Sequence, residues 1–245
     1  MRLKFGVLPA QGAGRLPDMR LVQHLTSLIA PPVCVLCSGA GQHLDETWGL
    51  DLCIHCEAAC PRAGTEPPPF DTAFCLFRYE DPVDVLIQRL KFQRDLAHAR
   101  VLGTLFARAW GQSRRSLPEC LVPMPLHVSR YRERGFCQTT EIARHIAQRL
   151  RSPAGRPLQV RCDLLRRVRA TRAQSGLPAG ERVANLRGAF ACRPAAAMPQ
   201  HVALLDDVLT TGNTVQAAMT ALRVAGVARV DVWCCARALR LDGQN

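Results

Sequence analysis

Val202-Ala203-Leu204-Leu205-Asp206-Asp207-Val208-Leu209-Thr210-Thr211-Gly212-Asn213-Thr214 is the stretch on which the fold turns. Its first four residues are a short apolar run of the kind that forms a strand buried on both faces. Val215, Met219, Leu222 and Val224 then recur at helical spacing, so the stretch reads strand, loop, helix. Two adjacent acids stand at the C-terminal edge of the strand, where ligands sit in open α/β sheets. In Thr210 to Thr214, small residues let backbone N–H groups approach an anion. Hydroxyls add donors there, and a helix N-terminus adds a favourable dipole. Carboxylates beside a phosphate cradle repel the phosphate unless something lies between. A sugar fits: Asp206 and Asp207 accept from vicinal hydroxyls while Thr210, Thr211, Gly212, Asn213 and Thr214 hold the phosphate at its other end. The chemistry indicated is that of ribose 5-phosphate.

Outward from this stretch, short apolar strands alternate with amphipathic helices. Strands are expected at Ala73–Tyr79, Cys120–Pro123, Val202–Leu205 and Val230–Cys234. Helical faces are expected at Val83–Leu90, about Leu96–Trp110, Glu141–Leu150 and after Thr214. The alternation predicts a parallel sheet covered by helices on both faces, an α/β class. Before it, Leu21, Val22, Leu25, Leu28 and Ile29 predict a short helix ended by Pro31-Pro32, and Met19 is a candidate start. Gly64-Thr65-Glu66-Pro67-Pro68-Pro69 reads as a linker. The expected organisation is a flexible extension and short helix over 1–30, a cysteine module over 31–64, and an α/β domain over 70–245.

The cysteine module carries a metal signal. Cys34-x2-Cys37 and Cys53-x2-Cys56 are two knuckles fifteen residues apart, and together they complete a closed tetrahedron for structural zinc. Cys60 and His55 are alternative ligands, and the symmetric four-Cys set is preferred. Cys75, Cys120, Cys137, Cys162, Cys192, Cys234 and Cys235 lack such spacing and read as small buried hydrophobes.

Composition narrows the class. At 48% apolar, the 245 residues can bury a sizeable core, which argues against wholesale disorder. No apolar run reaches the roughly 20 residues of a membrane span, and no secretory leader is legible. Twelve cysteines without such a leader suit a reducing, cytoplasmic compartment. The charge is concentrated: residues 127–193 hold fifteen Arg against Glu133, Glu141, Asp163 and Glu181, or +11 of the chain's +12. An anionic partner is expected there, phosphates or a nucleic acid. Arg130, Arg132 and Arg134 follow Pro125 closely, where the family resemblance given below implies that they could cap a pyrophosphate. Arg166, Arg167, Arg169 and Arg172 precede Gln174 as a lid over an anion would. Lys91 reads either as a helix-end cation or as a phosphate contact. Stacking platforms for single strands need exposed aromatics, and the basic segment offers only Tyr131, Phe136 and Phe190.

The Asp206–Thr214 string resembles the phosphoribosyl-pyrophosphate (PRPP) motif of type I phosphoribosyltransferases. The chain as a whole resembles the ComF family, the competence-associated members of that fold with an N-terminal zinc ribbon. Agreement runs from about Leu21 to Leu239 and includes the four cysteines, Leu90-Lys91-Phe92, Val122-Pro123-Met124-Pro125, Arg134-Gly135-Phe136, Gln138, Gln174, Arg182, Asn185 and Phe190. The resemblance implies that Asp206 and Asp207 hold the ribose 2- and 3-hydroxyls and that Thr210 to Thr214 hold the 5-phosphate. Pro123 and Met124 would form the pyrophosphate loop with Arg134 beside it, and magnesium would enter with PRPP. It further implies a part in natural transformation, handling single-stranded DNA beside competence helicase or recombination proteins. The alternative is an active phosphoribosyltransferase in nucleobase salvage. Two positions depart from the pattern: Cys137 stands where family members usually carry Asn, and Thr210 where purine-salvage enzymes often place an acid. The cysteine spacing makes one prediction directly: elemental analysis of purified protein finds one equivalent of zinc, and less than half an equivalent rejects the ribbon.

Overall fold

The structure is a computed structural model that describes residues 31–44, 49–64, 70, 72–113, 115–152, 154–170, 186, 188–193 and 197–238. The expected helix at Leu21–Ile29, the start at Met1 or Met19, and Arg172, Gln174, Arg182 and Asn185 lie outside these residues. Two short strands, β1 (Gln42–His43) and β2 (Gly49–Leu50), pair antiparallel and are followed by helix α1 (Ile54–Ala59). Then come β3 (Ala73–Arg78), α2 (Val83–Gln93), α3 (Leu96–Gln112), β4 (Cys120–Pro123), α4 (Val128–Arg134) and α5 (Gln138–Arg149). Strands β5 (Gln159–Val160), β6 (Leu165–Arg167), β7 (Phe190–Cys192) and β8 (His201–Leu209), helix α6 (Asn213–Val224) and strand β9 (Arg229–Arg237) complete the order.

Five strands form one sheet in the order β3-β9-β8-β4-β5, every pair parallel. Each connection is therefore a crossover, and the helices it needs cover both faces. Alternation along β8 divides the core. Ala203 and Leu205 face a cluster under α2, α3 and α5. Val202 and Leu204 face a second cluster with α6 and the antiparallel pair β6–β7. In the first cluster, Trp233 lies 4.3 Å from Trp110 between ring centroids and 5.2 Å from Phe106. Helices α3 and α5 meet closely because residue 103 is glycine: a Cβ there would come within 2.6 Å of His145 Cβ and 2.9 Å of the Ile142 carbonyl oxygen.

The cysteine segment joins the first cluster. Leu50, Leu52, Cys34 and Cys60 are buried with Leu121, Leu205 and Trp233. Asp51 pairs with Arg100, and Glu57 with Arg108, both arginines on α3. The Arg89 guanidinium donates to the Val35 carbonyl at 3.0 Å. The chain then runs along the edge of the sheet: the N–H groups of Ala63 and Arg78 donate to the Leu76 and Pro61 carbonyls, and Arg62 bridges to Phe77. These backbone bonds and buried leucines make the module an extension of the core.

Three sequence expectations change in extent. Strand β8 continues past Leu205 to Leu209, because β9 keeps pairing with it as far as the Leu209–Arg237 register. Helix α4 was not expected; His127 caps it by accepting from the Ser129 N–H, and Gly135 ends it at φ 83°. The free cysteines are not uniformly buried. Cys120, Cys137, Cys234 and Cys235 are, Cys75 and Cys192 are partly exposed, and Cys162 is exposed. Because the module shares the core, Leu52→Ala should cost about 2–5 kcal/mol of global stability. Thermal or denaturant unfolding checks this; a separate minor transition with the main one unmoved would refute it.

Candidate functional site

Burying two like charges on neighbouring residues of β8 sets the character of the site. Strand alternation sends them to opposite sides. Asp207 follows Ala203 and Leu205 toward α2, where the Lys91 ammonium donates to Oδ1 at 3.0 Å. Its Oδ2 is buried and has no partner. Asp206 follows Val202 and Leu204 toward the α6 side, and its own Oδ1 accepts from the Asp207 N–H at 2.9 Å. Burial first, and then the Asp207 carboxylate, push Asp206 up to about 7, with Lys91 and Arg167 pulling the other way. Lys91 is thus neither a bare helix-end cation nor free for a phosphate. It is the counterion of an acid.

Strand β4 stops at Pro123, opposite Leu205, so both acids project past the end of that neighbour. The Met124 N–H donates to the Leu205 carbonyl at 2.8 Å. The Met124 carbonyl accepts from Thr139 Oγ1 at 2.7 Å and from Cys137 Sγ at 3.6 Å. Cys137 therefore helps hold this turn, backed by Thr139 at 3.1 Å. Prolines flank Met124 and carry no N–H, so residues 123–125 have no backbone donor left for an anion.

On the other side of the acids, Thr210, Thr211 and Gly212 bend from β8 into α6. Gly212 takes the left-handed conformation at φ 79°, which glycine adopts at no steric cost. It serves as N-cap without a side chain, so the cap residue itself makes no side-chain hydrogen bond to the first turn of α6. Thr211 Oγ1 is buried and has no partner. The N-terminus of a 12-residue helix beside an orphan hydroxyl is a suitable seat for an anion.

Arginines close the site. Arg134 bonds Gln138 Oε1 at 2.6 Å, and its guanidinium lies 5.6 Å from the centroid of the Phe92 ring. Burial pulls the Arg134 pKa down, while the Asp207 carboxylate opposes that. Arg167, on β6, stacks on Phe190 at 5.5 Å; burial and Arg130 pull it down and Asp206 lifts it. Arg130, Arg134 and Arg167 thus feel one another or the same two acids, from two places in the sequence, α4 and β6. Arg132 lies on α4 with the first two, and Arg166 is exposed on β6. An apolar groove of about 460 Å³ runs beside the start of α6, lined by Leu186, Phe190, Asn213, Ala217, Ala221 and Val224 among others.

The four cysteines come together as the spacing requires. One sulfur from each of Cys34, Cys37, Cys53 and Cys56 lies within 4.8 Å of all the others, so the set is fit to hold a metal ion. The Cys37–Cys53 separation of 3.7 Å matches the S···S edge of about 3.8 Å that a tetrahedron with Zn–S of about 2.3 Å requires. Burial pushes Cys34 up, but hydrogen bonds from the backbone of Cys53, Cys37 and Leu36 outweigh it and hold the thiol down at about 6. Cys60 instead donates to the Cys56 carbonyl at 3.3 Å inside the core, and His55 is exposed. Neither belongs to the cluster.

The parallel sheet, the acid pair on its central strand, the small-residue loop that leads into α6 and the N-terminal four-cysteine cluster define an α/β protein with a candidate metal site. No protein-family model matches the chain. It is 32% identical over 216 residues to competence protein F of Haemophilus influenzae, covering 83% of this chain and 90% of that one. It is also 32% identical over 215 residues to the DNA utilization protein YhgH of Escherichia coli K12, covering 84% and 91%. Among solved structures, a hypoxanthine phosphoribosyltransferase from Staphylococcus aureus is similar at 10% identity with a TM-score of 0.32, over 56% of this chain and 61% of that one. The chain belongs to the family of competence protein F and YhgH. No helix among the described residues is long and apolar enough to cross a membrane.

The acid pair has a measurable signature in the ligand-free protein. A carboxyl held up near 7 when folded, against about 3.9 unfolded, retains its proton in the native state alone, so its contribution to stability falls as pH rises between those values. Asp206→Asn should therefore stabilise the protein at about pH 8, by on the order of 2 kcal/mol, and do little near pH 4. Thermal melts at the two pH values check this; an Asn variant that loses stability at the higher pH contradicts it.

Proposed function

We propose that the chain binds PRPP at the end of β8 and assists DNA uptake by handling single-stranded DNA in the cytoplasm. The observation that carries the PRPP reading is the orphan Oδ2 of Asp207. A buried carboxylate oxygen without a partner costs free energy unless a ligand donor meets it. The ribose 2- and 3-hydroxyls supply such donors to Asp206 and Asp207. Thr210, Thr211, Gly212, Asn213 and Thr214 receive the 5-phosphate, with Thr211 Oγ1 as a donor. Because Pro123 and Met124 shape the next turn without free N–H groups, the pyrophosphate charge falls to side chains, Arg134 first and Arg130 beside it.

Magnesium suits this donor set, since it keeps water and substrate oxygens as most of its ligands and needs only a carboxylate or two. Bound with PRPP, it would neutralise pyrophosphate charge. Zinc in the Cys34, Cys37, Cys53 and Cys56 set would be structural, with no position left open for a substrate. The DNA half of the reading rests on family membership, since the relatives are named for competence and DNA utilization, and on the Arg-rich segment 127–193. Competence helicase or recombination proteins are the corresponding protein partners.

Arg167 favours a second reading, catalysed transfer to an acceptor. It stands on the β6–β7 pair within electrostatic reach of Asp206. In that reaction the bond from the anomeric carbon to pyrophosphate breaks and a bond from the acceptor nitrogen forms. The protein would contribute positioning and charge stabilisation of the leaving group.

Calorimetry with PRPP and magnesium tests the site. Replacing Asp206 and Asp207 together by alanine should abolish the binding heat while the circular dichroism spectrum is kept. Unchanged affinity would overturn the assignment.

A further inference from the structure

We propose that Phe92 and Tyr131, with Arg94, Arg130 and Arg134, form a stacking platform for single-stranded DNA that adjoins the PRPP site and shares Arg134 with it. This rests on the DNA-handling reading above and deepens it by placing the strand. Both rings stand outside the two cores: Phe92 is 73% exposed and Tyr131 50%. Phe92 follows Lys91 at the end of α2, so one residue turns inward to Asp207 and the next turns outward. Arg94 ends α2 in the left-handed conformation and donates to the Glu133 carbonyl at 3.0 Å, which ties that end to the last turn of α4.

Across this junction the Arg134 guanidinium lies over the Phe92 ring at 5.6 Å, steadied by Gln138. Tyr131 and Arg130 precede Arg134 by three and four residues on α4, so they share its helix face. Arg134 thus has the Phe92 ring beneath it and Tyr131 and Arg130 on its own helix face, two rings and their cations on one surface. Rings accept the faces of successive bases whatever their identity, and the cations meet the phosphates between them. A duplex keeps its base faces stacked inside, so the surface suits a single strand. The +11 charge of segment 127–193, which includes all of α4, supplies the complementarity.

Arg134 also feels the Asp207 carboxylate from the other side. The pyrophosphate of PRPP and a stacked strand both draw on this one guanidinium, so each ligand weakens the other, and the effect is reciprocal.

The test uses full-length protein and a fluorescein-labelled oligothymidylate, read by anisotropy across a salt series, with a duplex of equal length alongside. The Phe92→Ala, Tyr131→Ala double variant should bind the single strand about tenfold or more weaker at every salt concentration. Its salt slope should stay unchanged, since no phosphate contact is lost. A Phe92→Leu, Tyr131→Leu pair, which keeps the apolar volume, should lose the same affinity. Calorimetric PRPP affinity should stay within about threefold of wild type, and saturating PRPP with magnesium should weaken wild-type strand binding.

Wild-type affinity in both double variants overturns the platform while leaving DNA handling intact. An equal loss on the duplex also overturns it, because the rings would then serve only to support the arginines. Wild-type protein that binds no strand even at low salt overturns the platform and the DNA-handling reading together, whereas the PRPP calorimetry stands apart from both.

Discussion

Two carboxylates on adjacent residues of a buried strand repel each other and resist burial, and the rest of the site follows from how that conflict is contained. Lys91 reaches from α2 to neutralise Asp207, while Asp206 on the other side keeps its affinity for a proton near neutral pH. Such an arrangement is costly in the ligand-free chain. It makes sense if a ligand with hydroxyl donors and a cation completes it, which is the usual relation between strain at a site and its function.

The fold serves this pair by supplying an edge. Because β4 ends opposite Leu205 and the paired strands β8 and β9 run on, the acids project past one neighbour while staying hydrogen-bonded to the other. The Met124 turn is fastened from three directions, by Leu205, Thr139 and Cys137. A thiol there keeps a weak form of the hydrogen bond that a side-chain amide would make more strongly. The cysteine module contributes at a distance. Its buried leucines and its ion pairs to α3 stiffen the layer on which α2, and hence Lys91, rests.

Much of this was legible in the residues. The order strand, acid pair, small-residue loop, helix identified β8 and α6, and paired C-x2-C knuckles identified the metal cluster, because both signals are local in sequence. The partners were not legible in the same way. Lys91 offered two readings, and the structure gave it a third, since its Nζ meets a residue 116 positions away. Phe92 entered only as part of the string Leu90-Lys91-Phe92, yet it is largely exposed and lies under an arginine of α4. Helix α4 itself went unrecognised because its seven residues are mostly polar and show no apolar period.

By itself the sequence determined the α/β class, the adjacent acids at the end of a strand, the small-residue loop into the next helix and the four cysteines that cluster. Each is written in a contiguous stretch whose spacing fixes its own geometry. Only the tertiary structure decided which cation neutralises which acid, which donors of the Met124 turn are already spent, and that an aromatic from α2 and arginines from α4 share one surface. Those outcomes depend on crossover connections that bring distant segments to the same edge of a parallel sheet. No local pattern in the chain encodes that meeting.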